Sequence, residues 1–366
     1  LAYRLDQSGT TVLRTGFGVF HSGKPFFGGP IGLVRNSLTE PTRVTYARSD
    51  VVKYGSVLQF PVYNDKVLPI AQGADQAISG TVISQNFPTP YSLQWTFGIE
   101  KQFAKDYVFE TTYVGNRGLK LTMDHEINRP DRLTGIRPFG SFLTYTFYDA
   151  SESSNYQAWQ SSLRKRFSHG FLASFNYTWS RNMSYTGDAD LLQPDPPQDD
   201  NNTAADYGRT NFDVRHRVVA DFVWELPLAR WARAAQGRGM RLLMSGWQLA
   251  GIVNAQTGLP ISIIQSSGIS SSRPDYAGGD PFLANARGTL GYLNAKAFSL
   301  VPVNKTSGLP VRPGTVGRNV LNGPGLWNVD ASLSKRLDFT ERLHLQIRAD
   351  MLNAFNHTNY SNPVSD

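Results

Sequence analysis

From Leu343 to Met351 every odd position is apolar: Leu343, Leu345, Ile347, Ala349 and Met351. Every even position from Arg342 to Asp350 is polar or charged: Arg342, His344, Gln346, Arg348 and Asp350. The preceding arm keeps the same rule, with Trp327, Val329, Ala331 and Leu333 set against Asn328, Asp330, Ser332 and Ser334. Side chains of period two fall on opposite faces of a strand, so Trp327–Phe355 predicts two strands, oily on one side and wet on the other. The arms meet at Asp338-Phe339-Thr340-Glu341, short enough for a hairpin. Each arm is about ten residues or longer, whereas strands of soluble domains usually run about five or six. A tilted strand of about ten residues is what a bilayer crossing needs.

The same grammar runs through the chain. Leu1–Leu5 and Thr10–Phe20 read as a hairpin across Asp6-Gln7-Ser8-Gly9, a turn composition. Tyr91–Phe103 alternates Tyr91, Leu93, Trp95, Phe97 and Ile99 with Ser92, Gln94, Thr96, Gly98 and Glu100. It turns at Ala104-Lys105-Asp106 and returns as Tyr107–Leu121. Asn155–Phe167 and Phe171–Trp179 form the next pair across Ser168-His169-Gly170. Val214–Leu226 follows, carrying His216, Val218, Ala220, Phe222 and Trp224 on one face. Pro227–Met244 is a basic connection with a short helix, and Gly246–Gln256 returns.

The connections alternate in length. Those after Leu5, Phe103, Phe167, Leu226 and Leu337 are short or of medium length. Those after Phe20, Leu121, Arg181 and Gln256 are long: His21–Pro90, Asp124–Ser154, Asn182–Asn211 and Thr257–Leu326. The first of these holds short extended pieces such as Ser56–Phe60. In an up-and-down sheet every second connection lies at one end, so all short turns share one end and all long loops the other. That asymmetry belongs to transmembrane β-barrels. The fold class expected is all-β, an antiparallel up-and-down transmembrane β-barrel. Here it is a partial barrel of about ten long strands with long extracellular loops.

Composition fits this reading. Hydrophobic residues make up 40% of 366, yet no run of eighteen apolar residues exists to form a transmembrane helix. With 16 Tyr, 21 Phe and 7 Trp, rings are plentiful enough for girdles at both headgroup levels. The absence of Cys excludes a disulfide framework, a thiol nucleophile and a Cys-based zinc site. The surplus of 36 Lys+Arg over 29 Asp+Glu is dispersed, with short clusters at Arg164-Lys165-Arg166 and at Arg230, Arg233, Arg238 and Arg241. Without a long basic run, no nucleic-acid partner is expected.

Parity assigns the faces. The polar face supplies lumen-facing candidates: Gln94, Glu100, Arg217, Asp330, Gln346, Arg348 and Asp350. The other supplies lipid-facing and girdle candidates: Tyr91, Trp95, Tyr113, Tyr177, Trp179, Trp224, Trp327, Leu345 and Ile347. Outer-membrane lipid is the partner this implies.

Four segments also resemble the C-terminal barrel of the Oar-like subgroup of TonB-dependent outer-membrane receptors. They are YSLQWTFGIEKQF with YVFETTYVGNRGLKL, NYQAWQSSLRKRFSHGFLASFNYTWS, RHRVVADFVWELP with GWQLAGIVNAQTGLPISI, and GTVGRNVLNGPGLWNVDASLSKRLDFTERLHLQIRADMLNAFNHTNY. The resemblance runs from about Gly9 to Tyr360. It implies a barrel of about 22 strands with a plugged lumen. Residues 1–366 are then the C-terminal part of one barrel domain, with the plug and the final strand outside this chain. It further implies a bacterial outer-membrane location and uptake of a bulky solute such as an iron chelate, glycan or peptide. The partners implied are the TonB energy-coupling complex, reached through an N-terminal region outside this chain, and the barrel-assembly machinery. The alternative is a soluble or surface-anchored all-β glycan-binding protein.

Chemistry-bearing patterns are sparse. Asp124-His125-Glu126 with Asn128 lacks metal-ligand spacing and reads as a polar loop entry. Gln193–Asn202 has carboxylates and amides that suit a hard cation but lacks the ordered calcium-loop pattern, so it reads as a solvated external loop. No Gly-x-Ser-x-Gly elbow and no P-loop Lys occur. No catalytic residue, metal or cofactor is assigned, and no enzymatic activity is expected.

Overall fold

The computed structural model describes residues 1–21, 78–140, 142–186, 196–228, 237–284, 291–340 and 342–363. In chain order the strands are β1 (Ala2–Arg4), β2 (Thr11–His21), β3 (Ile78–Ile83), β4 (Tyr91–Phe103), β5 (Tyr107–Glu126), β6 (Phe142–Ser168), β7 (Phe171–Ser184), β8 (Gly208–Arg209) and β9 (His216–Glu225). A short helix α1 (Arg238–Met244) precedes β10 (Trp247–Gln256). Four two-residue strands follow: β11 (Pro260–Ile261), β12 (Asp275–Tyr276), β13 (Phe298–Ser299) and β14 (Leu321–Asn322). The chain ends in β15 (Leu326–Asp338) and β16 (His344–Met351).

Ten of these strands follow one antiparallel path, β1-β2-β4-β5-β6-β7-β9-β10-β15-β16, inside a sheet of 12 strands. β3 joins β6 in parallel and β8 joins β7, both at the long-loop end. Short-turn chemistry is visible in the backbone. His169 and Gly170 both have positive φ, 53° and 75°, the two-residue hairpin turn that matches strand twist. Asp6 closes the first turn by accepting from the Thr10 amide at 2.8 Å and the Thr11 hydroxyl at 2.5 Å.

Three loop expectations change. The pairing of β5 with β6 runs past Leu121, because β5 continues to Glu126 and β6 begins at Phe142. Lys120, at φ 57°, makes the bulge that lets the pairing resume out of step. Residues 124–126 and 142–154 of the expected loop are therefore strand, and 127–140 remain loop. The region Thr257–Leu326 is packed as well, around Ile261, Ile263, Val316 and Leu321, with Phe282, Tyr292, Leu293 and Phe298 against them. At the far end β16 stops at Met351, short of Phe355, where Asn353 turns with φ 47°. Residues 22–77, including Ser56–Phe60, and Arg230 and Arg233 lie outside the described residues.

Candidate functional site

Residues directly opposite one another in a sheet share a face, so the ladder tests the parity reading strand by strand. Tyr91 pairs with Leu119, Trp95 with Gly115, and Phe97 with Tyr113. Tyr113 faces Trp159, and Trp159 faces Trp179. Trp179 faces His216, Tyr177 faces Val218, and Phe171 faces Trp224. Trp224 faces Leu249, Leu249 faces Leu333, and Trp327 faces Ala255. Leu333 faces Ala349, on the same parity as Leu345 and Ile347. All nine candidates of the apolar set therefore stand on one face of one sheet. The Trp95 indole lies across Gly115, where any Cβ would collide with the ring. Much of this face is bare: Trp159, Phe175, Trp179 and Ile347 are 46%, 46%, 54% and 57% exposed. No second sheet covers it among the described residues.

The seven polar candidates stand on the other face, and most are engaged there. Glu100 sits directly opposite Glu110, a repulsive pair. Arg14 meets Glu100 at 3.2 Å and Arg164 meets Glu110 at 3.5 Å, so each carboxylate has its own cation. Asp330 accepts from Asn328 Nδ2 at 2.9 Å and from the Asn353 amide at 2.8 Å. Arg348 Nε donates to Ser332 Oγ at 3.0 Å and to Asp350 Oδ1 at 2.8 Å. Gln346 is opposite Arg336, and Arg217 is opposite Thr178 and Gln256. Gln94 Nε2 reaches Ser92 Oγ at 3.4 Å. This wall offers alternating charges and amides.

The long-loop end is where the sequence reading missed most. Gln198, read as part of a solvated loop, is 2% exposed. Its Oε1 accepts from the amides of Arg273 (2.7 Å) and Gly314 (3.2 Å), and its Nε2 donates to the Gly314 carbonyl at 3.1 Å. Its own carbonyl accepts from Arg129 Nη1 at 2.7 Å and Arg132 Nη2 at 3.2 Å. Through its side chain and its carbonyl, one residue thus joins its own loop to two others. Beside it Asp206 and Arg273 form an ion pair with side chains 2% and 4% exposed. Arg318, also buried, donates to the carbonyls of Ser184 and Asp206. Asn319 Nδ2 reaches the Arg209 carbonyl at 2.7 Å. These partners lie 66 to 134 residues from one another in the chain, so no local pattern announces them.

His125, beyond the bulge, links the start of β6 to the loop that carries Asp200. Its Nδ1 lies 3.2 Å from Asp200 Oδ1 and its Nε2 3.5 Å from Asp149 Oδ1. The two carboxylates, Asp149 foremost, outweigh burial and push its pKa up to about 9. Its sequence neighbours point elsewhere: Glu126 accepts from the Tyr145 amide at 3.0 Å, and Asp124 stands opposite Tyr148. Asp200 is further engaged by Arg129 at 3.3 Å, so a cation from solution would compete with two resident ones. Among the described residues no group of three or more His, Asp or Glu is placed to hold a metal. Residues 193–195 lie outside the described residues.

A family model of the outer membrane β-barrel domain matches residues 1–366. The chain belongs to that family. The barrel domain is therefore an outer-membrane one, as the sorted faces anticipate. No curated protein matches its sequence. Among solved structures, the outer membrane transporter YddB from Escherichia coli is similar, with TM-score 0.53 and 11% identity over 97% of this chain and 36% of that one. The ferric-catecholate import receptor Fiu from E. coli K12 aligns over 97% of this chain and 30% of its own, at TM-score 0.42 and 10% identity. The likeness to YddB supports the fold alone. The barrel domain in hand spans about a third of the length of either neighbour.

Proposed function

We propose that this chain supplies part of the wall and external loop cap of a TonB-dependent outer-membrane transporter, of the Oar-like kind that its motifs resemble. The observation that carries the reading is the division of the ring-bearing and polar candidate side chains between opposite faces of a ten-strand antiparallel path. The face with Tyr91, Trp95, Tyr113, Tyr177, Trp179, Trp224, Trp327, Leu345 and Ile347 lies against lipid. The face with Gln94, Glu100, Arg217, Asp330, Gln346, Arg348 and Asp350 lines a wet lumen. The cargo is a bulky solute captured by the loop cap, with an iron chelate, a glycan or a peptide as the classes to be tried. Energy comes through TonB acting on a plug in the lumen, and the barrel-assembly machinery inserts the whole. The outer membrane transporter YddB shares the fold, and the transport reading extends that neighbour's role to this chain as part of the proposal. The role is uptake without catalysis, and no residue is assigned a covalent step.

A soluble glycan-binding sandwich would bury its apolar face in its own core. Here side chains such as Trp179 and Ile347 stand 54% and 57% exposed on that face. Because the chain has no Cys, single cysteines report the faces without background. In membrane-reconstituted protein, Asn176→Cys is expected to react with a membrane-impermeant maleimide. Phe175→Cys, one residue away on the other face, is expected to react only with a lipid-soluble one. Equal reaction of both with the impermeant reagent would remove the transporter reading.

A further inference from the structure

Five uncommitted side chains stand side by side on the polar face of the wall. Thr112 of β5 is opposite Gln160 of β6, and Gln160 is opposite Thr178 of β7. Thr178 is opposite Arg217 of β9, and Arg217 is opposite Gln256 of β10. Residues directly opposite share a face, so the five form one row across five neighbouring strands. Four inter-strand steps of about 4.8 Å make the row about 19 Å long. None of the five side chains makes a hydrogen bond or ion pair among the described residues. Arg217 and Gln160 are exposed. Gly98, opposite Thr112, keeps the row open at that end, because a Cβ there would collide with the Thr112 hydroxyl. Arg217 and Gln256 lie at the long-loop ends of β9 and β10, next to the start of the loop cap.

The charges around the row are already engaged. Arg215, two residues from Arg217, meets Asp213 at 3.8 Å, and Asp213 is held in turn by Arg209 at 2.6 Å. Glu110, two residues from Thr112, is met by Arg164 at 3.5 Å. Asp221, four residues along β9, accepts from Ser174. Arg217 therefore keeps its N–H fork for an acceptor from solution. A guanidinium of this kind matches a carboxylate, offering parallel donors to its two oxygens. The other four groups are hydroxyls and amides, each able to donate and to accept. A multiply charged iron chelate would meet a single free cation here. An extended peptide binds best along an open strand edge, which a row of side chains does not offer. A chain of linked sugars suits the row, because it presents hydroxyls at a repeat close to the strand spacing.

We infer that Thr112, Gln160, Thr178, Arg217 and Gln256 bind an extended acidic oligosaccharide, with a sugar carboxylate on Arg217 and ring hydroxyls on the four neutral side chains. This rests on the proposed placement of the polar face in a wet lumen, and it narrows the cargo to one class. The solute lies across the strands just inside the loop cap. Specificity for the acid comes from Arg217 alone, and the neutral groups hold the chain whatever its charge.

The test is calorimetric titration of the whole chain in detergent micelles with a hexasaccharide of galacturonate, set against a neutral hexasaccharide of glucose. Wild type is expected to bind the acidic chain about tenfold more tightly, the effect of one charge-assisted hydrogen-bonded pair. Arg217→Gln is expected to abolish that preference and leave the affinity for the neutral chain unchanged, which shows that the wall is intact. Gln160→Ala is expected to weaken both chains about threefold. Lys105→Gln, in the short turn after β4, changes neither. Equal affinity of wild type for the two chains, binding of neither, or an unaltered preference in Arg217→Gln overturns the site. Labelling of Asn176→Cys separates that failure from failure of the wall reading. If the cysteine still reacts with the impermeant maleimide, the cargo assignment falls alone. If it does not react, the wet lumen falls with it.

Discussion

Single residues decide whether the loop end holds together. Asp206 and Arg273 are paired where water does not reach, and Gln198 donates its amide to the same carboxylate at 3.1 Å. Removing one partner of a buried pair leaves a charge without solvent or counter-ion, at a cost of about 3–5 kcal/mol. Arg273→Met is therefore expected to destabilise the cap by that amount, read as proteolysis of the cap at lower urea. Adding Asp206→Asn keeps an acceptor for Gln198 and removes the stranded charge, so the double variant should recover much of the loss. If the double variant is as fragile as the single one, the ion pair is not what binds the loops. None of this was legible in the sequence. Gln198 lies in a polar, proline-rich run that reads as solvated, and its burial depends on Arg129, Arg273 and Gly314, which are remote in the chain.

Elements were legible in proportion to how far one local rule governed them. The strands of the wall obey period two, and the candidates from Tyr91 to Asp350 divide between two opposite faces of one sheet because parity survives any uncertainty in strand ends. The ends themselves were not legible. Beyond Leu119 the pairing of β5 with β6 continues only through a bulge at Lys120, which no alternation pattern reveals. That extension carries His125 to Asp200 and so ties a hairpin to the next loop. The sign of its pH dependence follows from a pKa raised from 6.5 to about 9. The charged clamp is fully present below pH 6.5, persists at neutrality, and is lost as pH rises through about 9. Protease access to residues 196–215 is expected to increase between pH 8 and pH 10 in the wild type. His125→Gln should be insensitive over the same range, since nothing remains to lose its proton. A variant that tracks the wild type would place the alkaline weakness elsewhere.

At the scale of the molecule, two bodies of different construction share one chain. The wall is held by inter-strand hydrogen bonds and leaves its apolar side bare, so its stability comes from the ladder rather than from an interior of its own. The cap is built like a small soluble domain, with an interior of Ile261, Ile263, Val316 and Leu321 and a polar seam around Gln198. The wall's bare face and the cap's core share no residue, so damage to one need not propagate. Ile263, 8% exposed inside the cap, is the point at which to separate them. Ile263→Asp places an unpaired carboxylate in that interior and is expected to unfold the cap. The membrane-embedded strands should keep their far-ultraviolet β signal and yield a protease-resistant core trimmed of residues 257–325. Simultaneous loss of the β signal would mean that cap and wall fold as one cooperative unit, because the long-loop ends of β10 and β15 depend on the cap for their alignment.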